Sequence, residues 1–140
     1  MDKPYQTGDK TEAIVLAELV KRDLDVAIPY SSGSRYDLLI DEGDRFNRVQ
    51  VKTGRLKEGS VRFNTKSSTN SMTKCIEDDY HGDVDSFIVY CPDNEGLYYV
   101  PIDDVGTSEM WIRVEEAKNG QTKGINFAEE YRFENAYASF

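Results

Sequence analysis

Apolar and polar positions along the chain recur with two periods. From residue 9 to 22, Ala13, Leu16, Ala17 and Val20 follow i, i+3, i+4, i+7 spacing, and Ile14 and Leu19 widen the stripe. That spacing predicts a helix laid on a sheet. Residues 25–30 carry a short first strand. The period then changes to two: Tyr36, Leu38 and Ile40 oppose Asp37 and Leu39, and Val49 and Val51 oppose Arg48, Gln50 and Lys52. Two paired strands are expected there, joined by Asp41-Glu42-Gly43-Asp44, which has the composition of a turn. Residues 60–64 after Gly59 predict a fourth strand. "DSFIVY" (85–90) and "GLYYV" (96–100) predict a further pair across the turn at 91–95. Residues 110–114 make a weaker strand and 127–133 a terminal helix. The Ser-, Thr- and Asn-rich stretch "TKSSTNSMTK" (65–74) reads as a loop. Helices on a mixed sheet give an α/β domain, and 140 residues suit a single domain, 1–140, with one core.

The hairpin gathers polar groups. If its turn centres on Gly43-Asp44, Asp37 lies opposite Gln50, and Lys52 shares their face. Opposite residues have Cβ atoms about 4.5–5.5 Å apart, so a carboxylate, an amide and an ammonium converge. Two chemistries fit that convergence. One is an exposed ion pair, which contributes about 0–1 kcal/mol. The other is an oxygen-ligand site for a hard cation such as Mg²⁺, with the lysine positioning or activating a water. Glu12 has two readings as well. Asp9-Lys10-Thr11-Glu12 fits a capping box at the helix start, and the same carboxylate could face the hairpin's polar spot.

Composition changes this picture through charge. The chain has 17 basic and 26 acidic residues, a formal charge of −9, which by itself argues against a nucleic-acid partner. Its distribution argues the other way. From residue 45 to 74, Arg45, Arg48, Lys52, Arg55, Lys57, Arg62, Lys66 and Lys74 stand against the single acid Glu58. A basic patch therefore surrounds the hairpin on an acidic body, and such a body also suits a halophilic source; stability that rises steadily with molar KCl is the expected sign of one. No run of about 18 apolar residues spans a membrane, and Met1-Asp2-Lys3-Pro4 leads into no apolar signal, so a soluble, cytoplasmic protein is expected. Cys75 and Cys91 have no CxxC partner, which leaves reduced thiols in place of a zinc site. His81 is the only histidine, and nothing near it suggests a triad.

Glu12 on the opening helix, then "SRYDLLI" (34–40), then "VQVKT" (49–53), resemble the PD-(D/E)xK nuclease superfamily, whose core is helix, three-stranded β-meander, helix, strand. The sequence is similar to the branch of small archaeal and intron-encoded endonucleases in which Gln replaces the acid of the (D/E)xK motif. The resemblance covers residues 7–100, including "VDSFIVY" and "LYYVPIDDV". It implies a restriction-endonuclease-like core, a mixed β-sheet flanked by helices, and a Mg²⁺-dependent endodeoxyribonuclease in which Mn²⁺ substitutes. By the same resemblance, Asp37 is the principal metal carboxylate, the Val51 carbonyl and Gln50 are further ligands, Glu12 is an outer ligand, and Lys52 orients the attacking water. Two positions depart from the pattern: Tyr36 stands where the superfamily has Pro, and Gln50 removes one negative charge.

The basic patch is expected to supply the DNA contacts. Arg48, Arg55 and Arg62 are expected on phosphates, with Lys57 and Lys66 beside them. Junction-resolving and homing or restriction-like cleavage both fit. One constellation cuts one strand, so a homodimer or larger symmetric assembly is expected. Its interface would be residues 87–90 and 97–100 or the aromatic tail 127–140, unless these are core. A non-catalytic DNA-binding module on the same fold, and a protein-interaction domain whose basic face meets an acidic partner, are the alternatives.

Overall fold

The computed structural model describes residues 4–31, 33–70, 75–79, 82–106, 108–115 and 125–137. His81 and Lys74 lie outside them. Helix α1 (Pro4–Lys21) starts on a proline, whose fixed φ and missing N–H suit the first helical position. It closes with Asp23 at φ 60, Asp23 N bonded to Val20 O at 3.0 Å and Leu24 N to Leu19 O at 3.2 Å, a Schellman ending that an aspartate supplies in place of glycine. The early start corrects the capping-box expectation. Residues 9–12 sit inside the helix, with Glu12 in its third turn. The stripe is corrected too: Thr11, Val15 and Leu19 are buried, whereas Ala13, Ile14, Ala17 and Val20 are exposed.

The strands run β1 (Asp25–Ala27), β2 (Leu38–Asp41), β3 (Phe46–Thr53), β4 (Arg55–Lys57), β5 (Ser60–Asn64), β6 (Lys66–Asn70), β7 (Cys75–Asp79), β8 (Ser86–Cys91), β9 (Gly96–Pro101), β10 (Glu109–Arg113) and β11 (Asn126–Phe127). A central mixed sheet has the order β1-β2-β3-β8-β9, a second sheet β11-β10-β5-β4, and β6-β7 form a ribbon. The expected α/β class is therefore observed. β3 and β8 are parallel; the superfamily resemblance placed a helix before that partner strand, and here β4 to β7 occupy the connection. The loop expected at 65–74 is corrected as well, since residues 66–70 pair antiparallel with 75–79; residues 71–74 lie outside the described part. The terminal helix is two short ones, α2 (Ala128–Tyr131) and α3 (Phe133–Ala136), broken where Arg132 is extended to bridge Tyr98.

Each face of the central sheet has its own core. On one, Val15 and Leu19 of α1 and Phe133 of α3 pack on Leu38, Ile40, Val49, Val51, Ile88 and Tyr99. On the other, Phe87, Val89, Tyr98 and Val100 meet Val61, Phe63, Met110 and Ile112 of the second sheet. β8 is thus buried on both sides, as a central strand with a parallel partner is. Segments 87–90 and 97–100, expected as either interface or core, are core: Phe87, Ile88, Val89 and Val100 have no exposed surface. The two sheets meet at Gly54, between β3 and β4, where a Cβ would lie 2.5 Å from Val61 Cγ1 and 3.1 Å from Val89 Cγ1. Only glycine lets the chain pass from one sheet to the other there. Cys91 is a buried free thiol.

Candidate active site

β2 and β3 pair with Leu38 opposite Val49, Leu39 opposite Arg48 and Ile40 opposite Asn47, the register read from the turn. Asp37 leaves that ladder where β2 begins. Its N–H goes to Val49 O at 2.8 Å, so Asp37 and Leu38 stand level with one residue of β3, an offset that re-aims a side chain. The carboxylate turns onto β3. Oδ2 accepts from Gln50 Nε2 at 2.8 Å and from the Val51 N–H at 2.9 Å. That bond satisfies a main-chain donor at the end of the β2 pairing.

Burial raises the Asp37 carboxyl above its ordinary range, while the Val51 N–H and the Lys52 charge pull it down by less. Glu12 is raised by burial, then by the charges of Asp37 and Asp9, so α1 does bring its carboxylate to the hairpin. The Thr11 and Thr53 hydroxyls, 2.7 Å apart, tie the helix turn bearing Glu12 to the strand bearing Gln50 and Lys52. Lys52 Nζ donates to Lys66 O at 3.4 Å and lies 6.0 Å from the Phe87 ring centroid, so the start of β6 adjoins the Lys52 ammonium.

These donors suit a hard divalent cation. Two carboxylates raised above their ordinary range by burial, Glu12 also by the Asp37 charge, an amide, and the Val51 carbonyl, within 3.5 Å of the Gln50 amide nitrogen, are all oxygen chemistry. Among the described residues no group of three or more His, Cys, Asp or Glu is placed to hold a metal. A cation here would therefore depend on Gln50 and the main chain for ligands beyond the carboxylates. Gln50 differs from its expected role in one respect: it donates its amide hydrogen to Asp37, and turning the amide over would present oxygen.

A protein-family model described as PD-(D/E)XK endonuclease matches residues 2–134. The chain belongs to that family. None of the curated proteins matches it by sequence. Among solved structures, the bacterial homing endonuclease I-Ssp6803I is similar in fold, with a TM-score of 0.74 at 21% identity over 94% of this chain and 89% of that one.

Of the residues the sequence singled out, this PD-(D/E)XK endonuclease brings together Glu12, Asp37, Gln50, Val51 and Lys52, with only the main-chain carbonyl of Lys66 meeting Lys52. It does not bring the other basic residues to the same spot. Arg48 is engaged by Asp85, with Nε to Oδ2 at 3.1 Å and its backbone N–H to the same oxygen at 2.8 Å, and that pairing lowers the Asp85 carboxyl. Arg55 pairs with Arg62 and Lys57 with Ser60, on the face opposite Val61 and Phe63. Arg62 stacks 3.6 Å from the Trp111 ring and pairs with Glu58 at 3.4 Å. The Thr11–Thr53 tie and the Lys66 carbonyl were missed by the sequence reading. Thr11 had a usable signal: it stands four residues before Val15 and eight before Leu19, on their seam. No helix among the described residues is long and apolar enough to cross a membrane.

Proposed function

We propose that the protein is a single-domain, divalent-cation-dependent endodeoxyribonuclease. The observation that carries this reading is the Asp37 carboxylate, kept poorly solvated, bonded to Gln50 and Val51 on the next strand and flanked by Glu12 and Lys52. Asp37, the Val51 carbonyl, Gln50 and Glu12 would hold Mg²⁺, with Mn²⁺ substituting. Such a cation, when bound, neutralises charge on the scissile phosphate. Hydrolysis joins a water oxygen to phosphorus, breaks the bond from phosphorus to one sugar oxygen, and returns a proton to that oxygen. The Lys52 ammonium orients the water and offsets charge developing on the phosphoryl oxygens. Asp37 and Glu12, themselves anionic, would act on the phosphate only through the cation they hold, and the Thr11–Thr53 bond ties the helix turn bearing Glu12 to the strand that Asp37 is bonded to.

Lys66, Arg55, Lys57 and Arg62 would position the duplex through phosphates, as would Arg48 if it exchanges Asp85 for DNA. Both a junction-resolving and a homing-type activity suit one cut per site, and paired cuts call for two copies. Light scattering should accordingly give a homodimer or larger symmetric assembly; a strict monomer making paired cuts would remove that argument. Incubating supercoiled plasmid with the protein in Mg²⁺, Mn²⁺ or EDTA tests the function. Nicking or linearisation with either cation, and none with EDTA, is the expected result.

One observation favours a second reading, a non-catalytic DNA-binding module: an amide stands at the motif's acidic position and donates to Asp37. Replacing Gln50 by Glu separates the two. The variant loses a hydrogen bond and gains repulsion in the metal-free protein, so its melting temperature in EDTA should fall. A third carboxylate should also lower the Mg²⁺ concentration for half-maximal cleavage by about tenfold, since each carboxylate is a stronger hard-cation ligand than an amide. An unchanged titration would place Gln50 outside the cation's ligands.

A further inference from the structure

We propose that Ile28 and Tyr30 form an apolar wedge that inserts against DNA bases beside the scissile phosphate, a reading that rests on the nuclease assignment of the Asp37 site. The segment from β1 to Asp37 leaves two large side chains in water: Ile28 is 58% exposed and Tyr30 107%. The segment is held in place after them. Ser31 Oγ accepts the Gly33 N–H at 3.2 Å, and Ser31 O accepts the Ser34 N–H at 3.4 Å, so a turn follows Tyr30 directly and sends the chain back toward Asp37. Tyr30 stands outside that turn.

The wedge borders the candidate site. Ile28 lines a 240 Å³ cavity together with Asp9, Glu12, Ala13, Leu16 and Leu38, so an apolar rim and the Glu12 carboxylate share one opening. Tyr30 is two residues further on, within about 7 Å of extended chain. A phosphodiester that reaches Asp37 and Glu12 carries its flanking nucleotides across this rim. The chemistry of DNA that suits an exposed aromatic with an aliphatic neighbour is a base face. In a continuous duplex that face is covered, so contact requires a step to be unstacked and the duplex kinked. DNA already unstacked near the cut, at a nick, an abasic site or a branch point, spares that cost and should bind better.

The test compares the full-length wild type with Tyr30→Ala and Tyr30→Phe, using 2-aminopurine scanned along a four-way junction and a matched duplex. Ca²⁺ replaces Mg²⁺ in the binding arm to hold back cleavage. Wild type and Tyr30→Phe should raise 2-aminopurine fluorescence at one or two adjacent positions, and Tyr30→Ala should not. With Mg²⁺, Tyr30→Ala should raise KM for DNA about tenfold or more, given what base–aromatic stacking contributes. Its melting temperature and its hydrolysis of bis(p-nitrophenyl) phosphate, which has no base to stack, should stay as in wild type. Equal fluorescence changes with and without the ring would overturn the wedge, as would a Tyr30→Ala protein whose only change is a smaller mass in light scattering, which would make the rim a contact with a second copy. The fluorescence arm needs no turnover. A wild type that binds and unstacks DNA but never cleaves it would overturn the nuclease reading and leave the wedge standing.

Discussion

Replacing Asp37 by asparagine should lower the cleavage rate by about three orders of magnitude or more. In the proposed site the carboxylate would anchor a cation whose charge offsets the phosphate's, an effect worth several kcal/mol in the transition state, and every 1.4 kcal/mol is a factor of ten. Asparagine keeps an oxygen for the Val51 N–H, so the fold should survive. Stability gives an independent readout. Burial raises the Asp37 carboxyl in the folded chain, so the native state holds this proton more tightly than the unfolded state. Stability in EDTA should therefore fall as pH rises from the ordinary aspartate value, about 3.9, through the higher native one, and be lowest above it. Asp37→Asn lacks that contribution and should melt no lower than wild type at neutral pH. Added Mg²⁺ should raise the wild-type melting temperature by mass action and leave the variant where it was. Full cleavage by the variant would exclude Asp37 from the chemistry.

Lys52→Met should cost a further large factor, about 10²–10³ in turnover, typical of removing one preorganised electrostatic contact. Methionine keeps much of the stem's volume beside the Phe87 ring and loses the charge and the hydrogen bond to the Lys66 carbonyl. The Mg²⁺ titration and duplex affinity should change little, because in the proposed mechanism the ammonium acts on the water and the phosphoryl oxygens. A loss that appears only in KM, with turnover intact, would reassign Lys52 to phosphate binding.

The site was more legible than its surroundings. Period-two alternation and the Gly43-Asp44 turn were enough to bring Asp37 to Gln50 and Lys52, because a hairpin is a local structure whose register its turn sets. The offset at Asp37 was not legible, since it answers to the Val51 N–H across the strand. α1 was assigned the wrong stripe because apolar residues surround it, at Ala13, Ile14, Val15, Leu16, Ala17, Leu19 and Val20, and periodicity cannot choose among overlapping faces. β6 carries Ser, Thr and Asn with no apolar alternation, and β4 is three exposed residues; both are held by main-chain pairing. Buried polar links are hidden for another reason. Asn47 Nδ2 donates to Tyr99 Oη at 2.8 Å, Ser86 Oγ to Asn47 Oδ1 at 2.8 Å and Tyr137 Oη to Glu42 Oε2 at 2.8 Å. Each joins residues far apart in sequence and leaves no pattern in it. Glu42 keeps a lowered carboxyl despite its burial because Tyr137, Arg45 and Asn47 all donate to it.

The basic patch shows how charge along a sequence can overstate charge at a site. Of the basic residues from Arg45 to Lys66, Lys52 acts on Asp37 and meets Lys66 only at its main-chain carbonyl, Arg45 pairs with Glu42, Arg48 is committed to Asp85, and Arg55, Lys57 and Arg62 belong to the far face of the second sheet. Under the proposed function, contacts there would steer and orient DNA away from the bond that breaks.

The most direct measurement is side-by-side cleavage of supercoiled plasmid by wild type and Asp37→Asn, with protein in excess over DNA and saturating Mg²⁺. The account predicts nicked or linear DNA from the wild type, none after EDTA, and at most about a thousandth of the rate from the variant. A wild type that leaves the plasmid supercoiled with Mg²⁺ or Mn²⁺, or a variant that cleaves as fast as its parent, would contradict it.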